Sequence, residues 1–87
     1  MKIKEGFLLR NVAGNNVVVP IGEATLNFNG MMSLNETGAF LFEKLIEGTN
    51  KEQLIKDLMA EYGVDETLAT KDVEKFILKI ESEDLFE

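Results

Sequence analysis

Leu34-Asn35-Glu36-Thr37-Gly38-Ala39 divides this chain into a strand-rich front and a helical back. Asn35 carries a side-chain oxygen suited to capping a helix, Glu36 puts negative charge into the first turn, and apolar periodicity begins at Ala39. Ser33 with Glu36 also has capping-box spacing, which leaves the exact start of the helix open between the two. Gly38 is the odd residue. Inside a helix a glycine costs roughly 1 kcal/mol relative to alanine, so its presence suggests that another backbone comes close there.

Downstream of this stretch the helical period is sustained. The first helix is expected over residues 35–46, with Ala39, Phe42, Leu45 and Ile46 facing inward and Gly48 just past its end. Thr49 and Glu52 have capping-box spacing for a second helix. Its Leu54, Ile55, Leu58, Met59 and Tyr62 mark one face, and Gly63 is a natural stop. Asp65 is placed to cap a third helix running to about Glu81, in which Ala69, Val73, Phe76, Ile77 and Ile80 recur at helical spacing.

Upstream the period changes to that of strands. Phe7-Leu8-Leu9-Arg10-Asn11-Val12 and Val17-Val18-Val19 flank Ala13-Gly14-Asn15-Asn16, which has the composition of a hairpin turn. Pro20 lacks an N–H donor and should end the second strand or lie on an edge. Residues 24–28 alternate Leu26 and Phe28 with Thr25 and Asn27, the pattern of a half-buried strand. Asn29-Gly30 is a two-residue turn signal, after which Met31-Met32-Ser33-Leu34 can run back as a further short strand. The expectation is a single domain over residues 1–87, of the α+β class. It is winged-helix-like, with an N-terminal antiparallel β-sheet of three to four short strands followed by three α-helices.

Composition narrows the chemistry. A chain of 87 residues buries only about 60 to 65% of its unfolded surface, so the core is small. With 16 acidic and 9 basic residues the formal charge is -7, which opposes association with nucleic acid or an anionic membrane. No cysteine or histidine is present, which removes disulfides, thiolate chemistry and the usual zinc and haem ligands. No metal, cofactor or catalytic residue is assigned. Carboxylate pairs such as Glu43 with Glu47 or Glu81 with Glu83 read as solvated faces of an acidic chain. Gly14, Gly22 and Gly30 are isolated and wrongly spaced for a phosphate loop. Nothing resembles a signal peptide or a run of roughly 20 apolar residues, so a cytoplasmic protein is expected. One cationic feature remains: Lys71, Lys75 and Lys79 recur every fourth residue on the third helix. Like charges at that spacing repel by roughly 0.2 to 0.5 kcal/mol per pair, a hint of an acidic partner. Pairing of Lys75 with Asp72 and of Lys79 with Glu83 would leave a plain solvated face instead.

The ordered set Val18-Val19-Pro20-Ile21-Gly22, Phe28-Asn29-Gly30, Leu34 to Gly48 followed by Thr49, Asp65 and Asp72-Val73 resembles the PqqD family. That family is named for pyrroloquinoline quinone biosynthesis protein D and consists of small winged-helix-like precursor-peptide recognition elements. The resemblance runs from Gly6 to about Leu85, and Phe42 stands where the family often has tryptophan. It implies binding of the leader region of a ribosomally made precursor peptide, added as a strand to the sheet edge beside the third helix. The docking strand of the family maps here onto Met31, Met32, Ser33 and Leu34, with Leu68, Asp72, Lys75, Phe76 and Lys79 on the opposite wall. Lys75 and Lys79 would select acidic leader residues, and the adjacent methionines suit an adaptable groove or the core. The implied partner is a radical S-adenosylmethionine (radical SAM) modifying enzyme. A winged-helix DNA binder and a small scaffold forming a homodimer through the same edge are the alternatives. Two features depart from shorter relatives. Residues 23–30 look like an inserted strand and turn, which makes residues 24–28 the runner-up docking edge, and Glu83-Asp84-Leu85-Phe86 lacks the small residue and glycine many relatives carry. Leu85 and Phe86 can still pack back on the sheet.

Overall fold

A computed structural model describes every residue of the chain except Asn27 and Asn29. Strand β1 (Phe7–Val12) and strand β2 (Asn15–Pro20) form the expected hairpin. Its loop is only Ala13-Gly14, both with positive φ (51° and 84°), the pairing that matches the right-handed twist of the strands, and Asn15 and Asn16, read from sequence as part of the turn, belong to β2 instead. Strand β3 (Met32–Leu34) pairs antiparallel with the middle of β2, giving the order β1-β2-β3. Helices α1 (Glu36–Glu47), α2 (Lys51–Tyr62) and α3 (Glu66–Ser82) follow. The α+β expectation holds, with three strands rather than four among the described residues.

Helix starts follow local chemistry. Asn35 caps α1 by accepting from the Gly38 N–H at 2.7 Å, and Asp65 caps α3 by accepting from the Leu68 N–H at 2.8 Å. The α2 cap is Asn50, which accepts from the Gln53 N–H at 2.8 Å, and not the expected Thr49. Thr49 is held elsewhere: its N–H donates to the Met1 carbonyl at 2.9 Å and its carbonyl accepts from the Met1 amine at 2.6 Å. A residue pinned to the N-terminus from both backbone groups leaves the capping geometry to its neighbour.

One apolar cluster joins the elements. Val18, Met32 and Leu34 from the sheet meet Leu41, Phe42 and Leu45 of α1, Leu54 and Leu58 of α2, and Val73, Phe76 and Ile80 of α3. Ile46 was expected inward and is exposed. The buried residues of α1 are Gly38, Ala39, Leu41, Phe42 and Leu45, and Ile46, one heptad past Ala39 on the flank of that face, lies in the last turn. The termini close the core: Ile3 bridges Phe86, and Leu85 is fully buried. Leu85 and Phe86 thus pack back, against the N-terminal segment.

Of the strand expected over residues 24–28, Ala24, Thr25, Leu26 and Phe28 lie in no strand, and Asn27 lies outside the described residues. Gly22–Leu26 is a short 3-10 helix. It folds toward the start of β1: a β-carbon at Gly6, whose φ is +94°, would lie 2.9 Å from the Ala24 β-carbon. Phe28 then stacks edge-on against Phe7 with centroids 5.4 Å apart. Asn29, half of the anticipated Asn29-Gly30 turn, lies outside the described residues.

Candidate functional site

The site begins with the parity of β2. Ile21 donates its N–H to the Gly6 carbonyl at 2.7 Å, so odd-numbered β2 residues direct their backbone groups toward β1 and even-numbered ones toward β3. In the β2–β3 register Val18 stands opposite Met32 and Asn16 opposite Leu34, and both are therefore hydrogen-bonded pairs. Ser33, opposite Val17, turns its N–H and C=O outward. Pro20 continues the even series one step past β3, where its missing N–H ends the ladder. The outer edge of β3 pairs with no strand of the three-stranded sheet. The 3-10 segment lies against Gly6, and Phe28 beyond it packs on Phe7.

A cleft of about 310 Å³ opens at the Leu34 end of that edge, at the small end of the roughly 300 to 1,000 Å³ typical of ligand pockets. Leu34, Asn35, Thr37, Gly38 and Leu41 form one side and Asp72, Lys75, Phe76 and Lys79 of α3 the other. Gly38 explains part of its depth. A β-carbon there would sit 3.1 Å from the Asn35 Oδ1, 3.3 Å from the Phe76 Cε1 and 3.4 Å from the Leu34 Cβ. The close neighbours are side chains rather than the backbone the sequence suggested, and the glycine keeps the wedge between β3 and α3 open. Buried Leu34, Leu41 and Phe76 make its floor apolar, and Lys75 and Lys79 make its rim cationic. The Lys79 ammonium donates a long 3.4 Å hydrogen bond to the outward carbonyl of Ser33. Neither Lys75 nor Lys79 forms an ion pair among the described residues.

Of the residues singled out from sequence, Leu34, Asp72, Lys75, Phe76 and Lys79 converge on the cleft. Ser33 is exposed at the edge itself. Met32 is 7% exposed and belongs to the core, while Met31 precedes β3 and is 66% exposed. Leu68 is exposed on the same side of α3 as Asp72, Lys75 and Lys79 but does not line the cleft. Asn35, Thr37, Gly38 and Leu41 also line the cleft and were not named as site residues. Gly38 carried the available signal, a glycine in a helix with no local need for one.

Away from the cleft, Phe40 stacks on Tyr62 at 5.7 Å and the Lys44 ammonium lies 5.3 Å from the Phe40 ring centre. Desolvation pushes the Tyr62 hydroxyl above its usual range, and the carboxylates of Glu36 and Glu61 add to the effect. No helix among the described residues is long and apolar enough to cross a membrane.

Comparison with known proteins gives the following. The family model described as Coenzyme PQQ synthesis protein D (PqqD) matches residues 16–85. The structure of TbiB1 in complex with the TbiA(beta) leader peptide superimposes with a TM-score of 0.76 at 22% identity, covering 100% of this chain and 95% of that one. Lasso peptide synthetase B1 complexed with the leader peptide superimposes with a TM-score of 0.69 at 17% identity, covering 93% and 89%. At these identities the likeness is one of fold. No curated protein matches the sequence.

Proposed function

This chain belongs to the PqqD family, and from that premise we propose that it is a peptide-recognition domain that binds the leader region of a ribosomally made precursor peptide. Binding is non-catalytic: the leader adds as a strand to the outer edge of β3 and is presented to a separate modifying enzyme. The observation that carries the reading is the open β3 edge, with the Ser33 backbone groups turned outward above an apolar cleft walled by α3. Main-chain pairing supplies affinity that tolerates sequence variation, and the cleft selects side chains at alternate guest positions. That the two superimposable proteins were each captured with a leader peptide favours leader-peptide binding by this one. Ser33, Leu34, Asp72, Lys75, Phe76 and Lys79 are the contact residues. Met31 flanks the docking strand, Met32 supports it from the core, and Leu68 extends the α3 wall. The enzyme served is, by the habit of the family, a radical SAM maturase, and the protein acts in the cytoplasm.

Titrating isotope-labelled protein with leader peptides encoded beside its gene, while recording amide shifts, tests this. Perturbations clustered on β3, the start of α1 and the cleft side of α3 support it. A flat response to every such leader refutes it. Salt-sensitive binding of duplex DNA would indicate the DNA-binding alternative. A size that grows with concentration and falls when peptide is added would indicate a homodimer through the same edge.

A further inference from the structure

We propose that β1 is a second strand-pairing edge and that its occupant is the β1 strand of a second copy of this chain. The inference stands apart from leader binding at β3, because β1 and β3 are opposite edges of the sheet with β2 between them.

The parity that turns Ser33 outward also fixes what β1 offers. Odd-numbered β2 residues meet even-numbered β1 residues, so Leu8, Arg10 and Val12 bond toward β2. Phe7, Leu9 and Asn11 turn their N–H and C=O groups the other way, and these groups make no backbone hydrogen bond among the described residues. The β1 edge therefore presents three outward residues where β3 presents Ser33 alone. Sheet proteins usually block such an edge with charge, proline or a bulge. Here the pairing of β1 with β2 is unbroken from Phe7 to Val12, the strand holds no proline, and Arg10 is its one charge.

The edge is complementary to itself. About a two-fold axis at Leu9, an antiparallel pair sets Leu9 opposite Leu9 and Phe7 opposite Asn11, and every outward residue exchanges both of its hydrogen bonds. Phe7 and Leu9 pack against the core cluster, so the same pairing joins the apolar layers of the two copies. On the other face Arg10 lies opposite half-buried Leu8. An axis at Arg10 would instead set two like charges directly opposite, and an axis at Leu8 would leave Asn11 beyond the end of the partner strand. Charge favours the sheet half as well. Residues 1–35 hold three basic and two acidic side chains, a formal +1, while residues 36–87 hold the remaining -8. Two copies of an acidic chain thus meet where they repel least. The contact is one strand wide, so the association is weak, and it leaves a β3 edge open at each end of the joined sheet.

Amide spectra of the isotope-labelled full chain, recorded without peptide from low micromolar to millimolar concentration, locate the contact. Shifts that grow with concentration should cluster on Phe7–Val12. Shifts on Met32–Leu34 and the cleft instead, or spectra unchanged by concentration, overturn the proposal. Leu8→Arg places a guanidinium opposite Arg10 of the second copy on both sides of the axis and should weaken association about tenfold. Adding Arg10→Glu makes both pairs opposite in charge and should restore it. A folded double variant that stays monomeric overturns the register, and if the variants do not fold, the wild-type shifts decide alone. A saturating leader peptide should leave the β1 shifts in place, and their loss overturns the assignment to β1. Failure of every leader to bind while the β1 shifts persist refutes the leader reading alone.

Discussion

Replacing Ser33 by proline probes the reading of β3 most directly, because it removes a single N–H whose direction follows from register. The Ser33 N–H points away from β2, so proline deletes no bond of the β2–β3 ladder, and proline is tolerated on an edge strand in that orientation. The residual cost to folding is the adjustment of φ toward about −65°, on the order of 1 kcal/mol, against a total stability of roughly 4 to 13 kcal/mol for a chain of this length. Peptide binding suffers more. One backbone hydrogen bond contributes about 0.5 to 1.5 kcal/mol, and the guest carbonyl left without a donor adds about 1 to 3 kcal/mol if water cannot reach it. The expected loss is about 10-fold to 100-fold in Kd. Ser33→Ala controls for the exposed hydroxyl and should bind as the parent does. Met32→Pro is the opposite case, since its N–H lies in the ladder opposite Val18 and its side chain in the core, and it should unfold the protein. Urea unfolding followed by far-ultraviolet circular dichroism measures the first quantity, and calorimetric titration with a binding leader peptide the second. Unchanged affinity in Ser33→Pro would refute strand addition at β3. A loss of stability like that of Met32→Pro would refute the parity on which the site is built.

Three further outcomes follow from the same structure. Gly38→Ala should leave stability within about 1 kcal/mol, because better helix propensity offsets tight contacts at 3.1 to 3.4 Å. Its methyl group should nonetheless weaken peptide binding about fourfold for each guest methylene displaced, at about 0.8 kcal/mol each, by calorimetry. Phe42→Ala empties a fully buried site at the centre of the core and should cost about 3 to 5 kcal/mol, read as a lower urea midpoint at unchanged slope. Tyr62 titrates with a raised pKa in the fold, so the folded state holds its proton more tightly than the unfolded chain does. Stability from this source is complete below the ordinary tyrosine value near 10 and declines as pH rises through and above it. Tyr62→Phe should remove that part of the alkaline decline in urea midpoints.

Most of the fold could be read from neighbouring residues because most of it is decided by them. Asn35 and Asp65 cap the helices they precede, Ala13-Gly14 closes the hairpin, and the helical period of the back half appears as three helices. Where reading failed, a distant partner intervened. Thr49 had the right spacing for a cap but is bonded to Met1, and Ala24, Thr25 and Leu26, read as part of a strand, form a 3-10 helix in which Ala24 packs against the bare backbone of Gly6. A period of two over so few residues does not distinguish a strand from a tight helical turn, and the choice falls to whatever surface is near.

The same division holds at the cleft. By itself the sequence determined which residue types were available: a short strand ending at Leu34, a cap at Asn35, an unexplained glycine, and an α3 face carrying Asp72, Lys75, Phe76 and Lys79. Only the tertiary structure decided that the Ser33 backbone groups face outward, that Gly38 opens a wedge against Phe76, and that the Lys79 ammonium rests on the strand edge. Each of these depends on the relative placement of β2, β3 and α3. Local propensity acts within a few residues along the chain, whereas pairing register and helix-to-sheet packing join residues tens of positions apart.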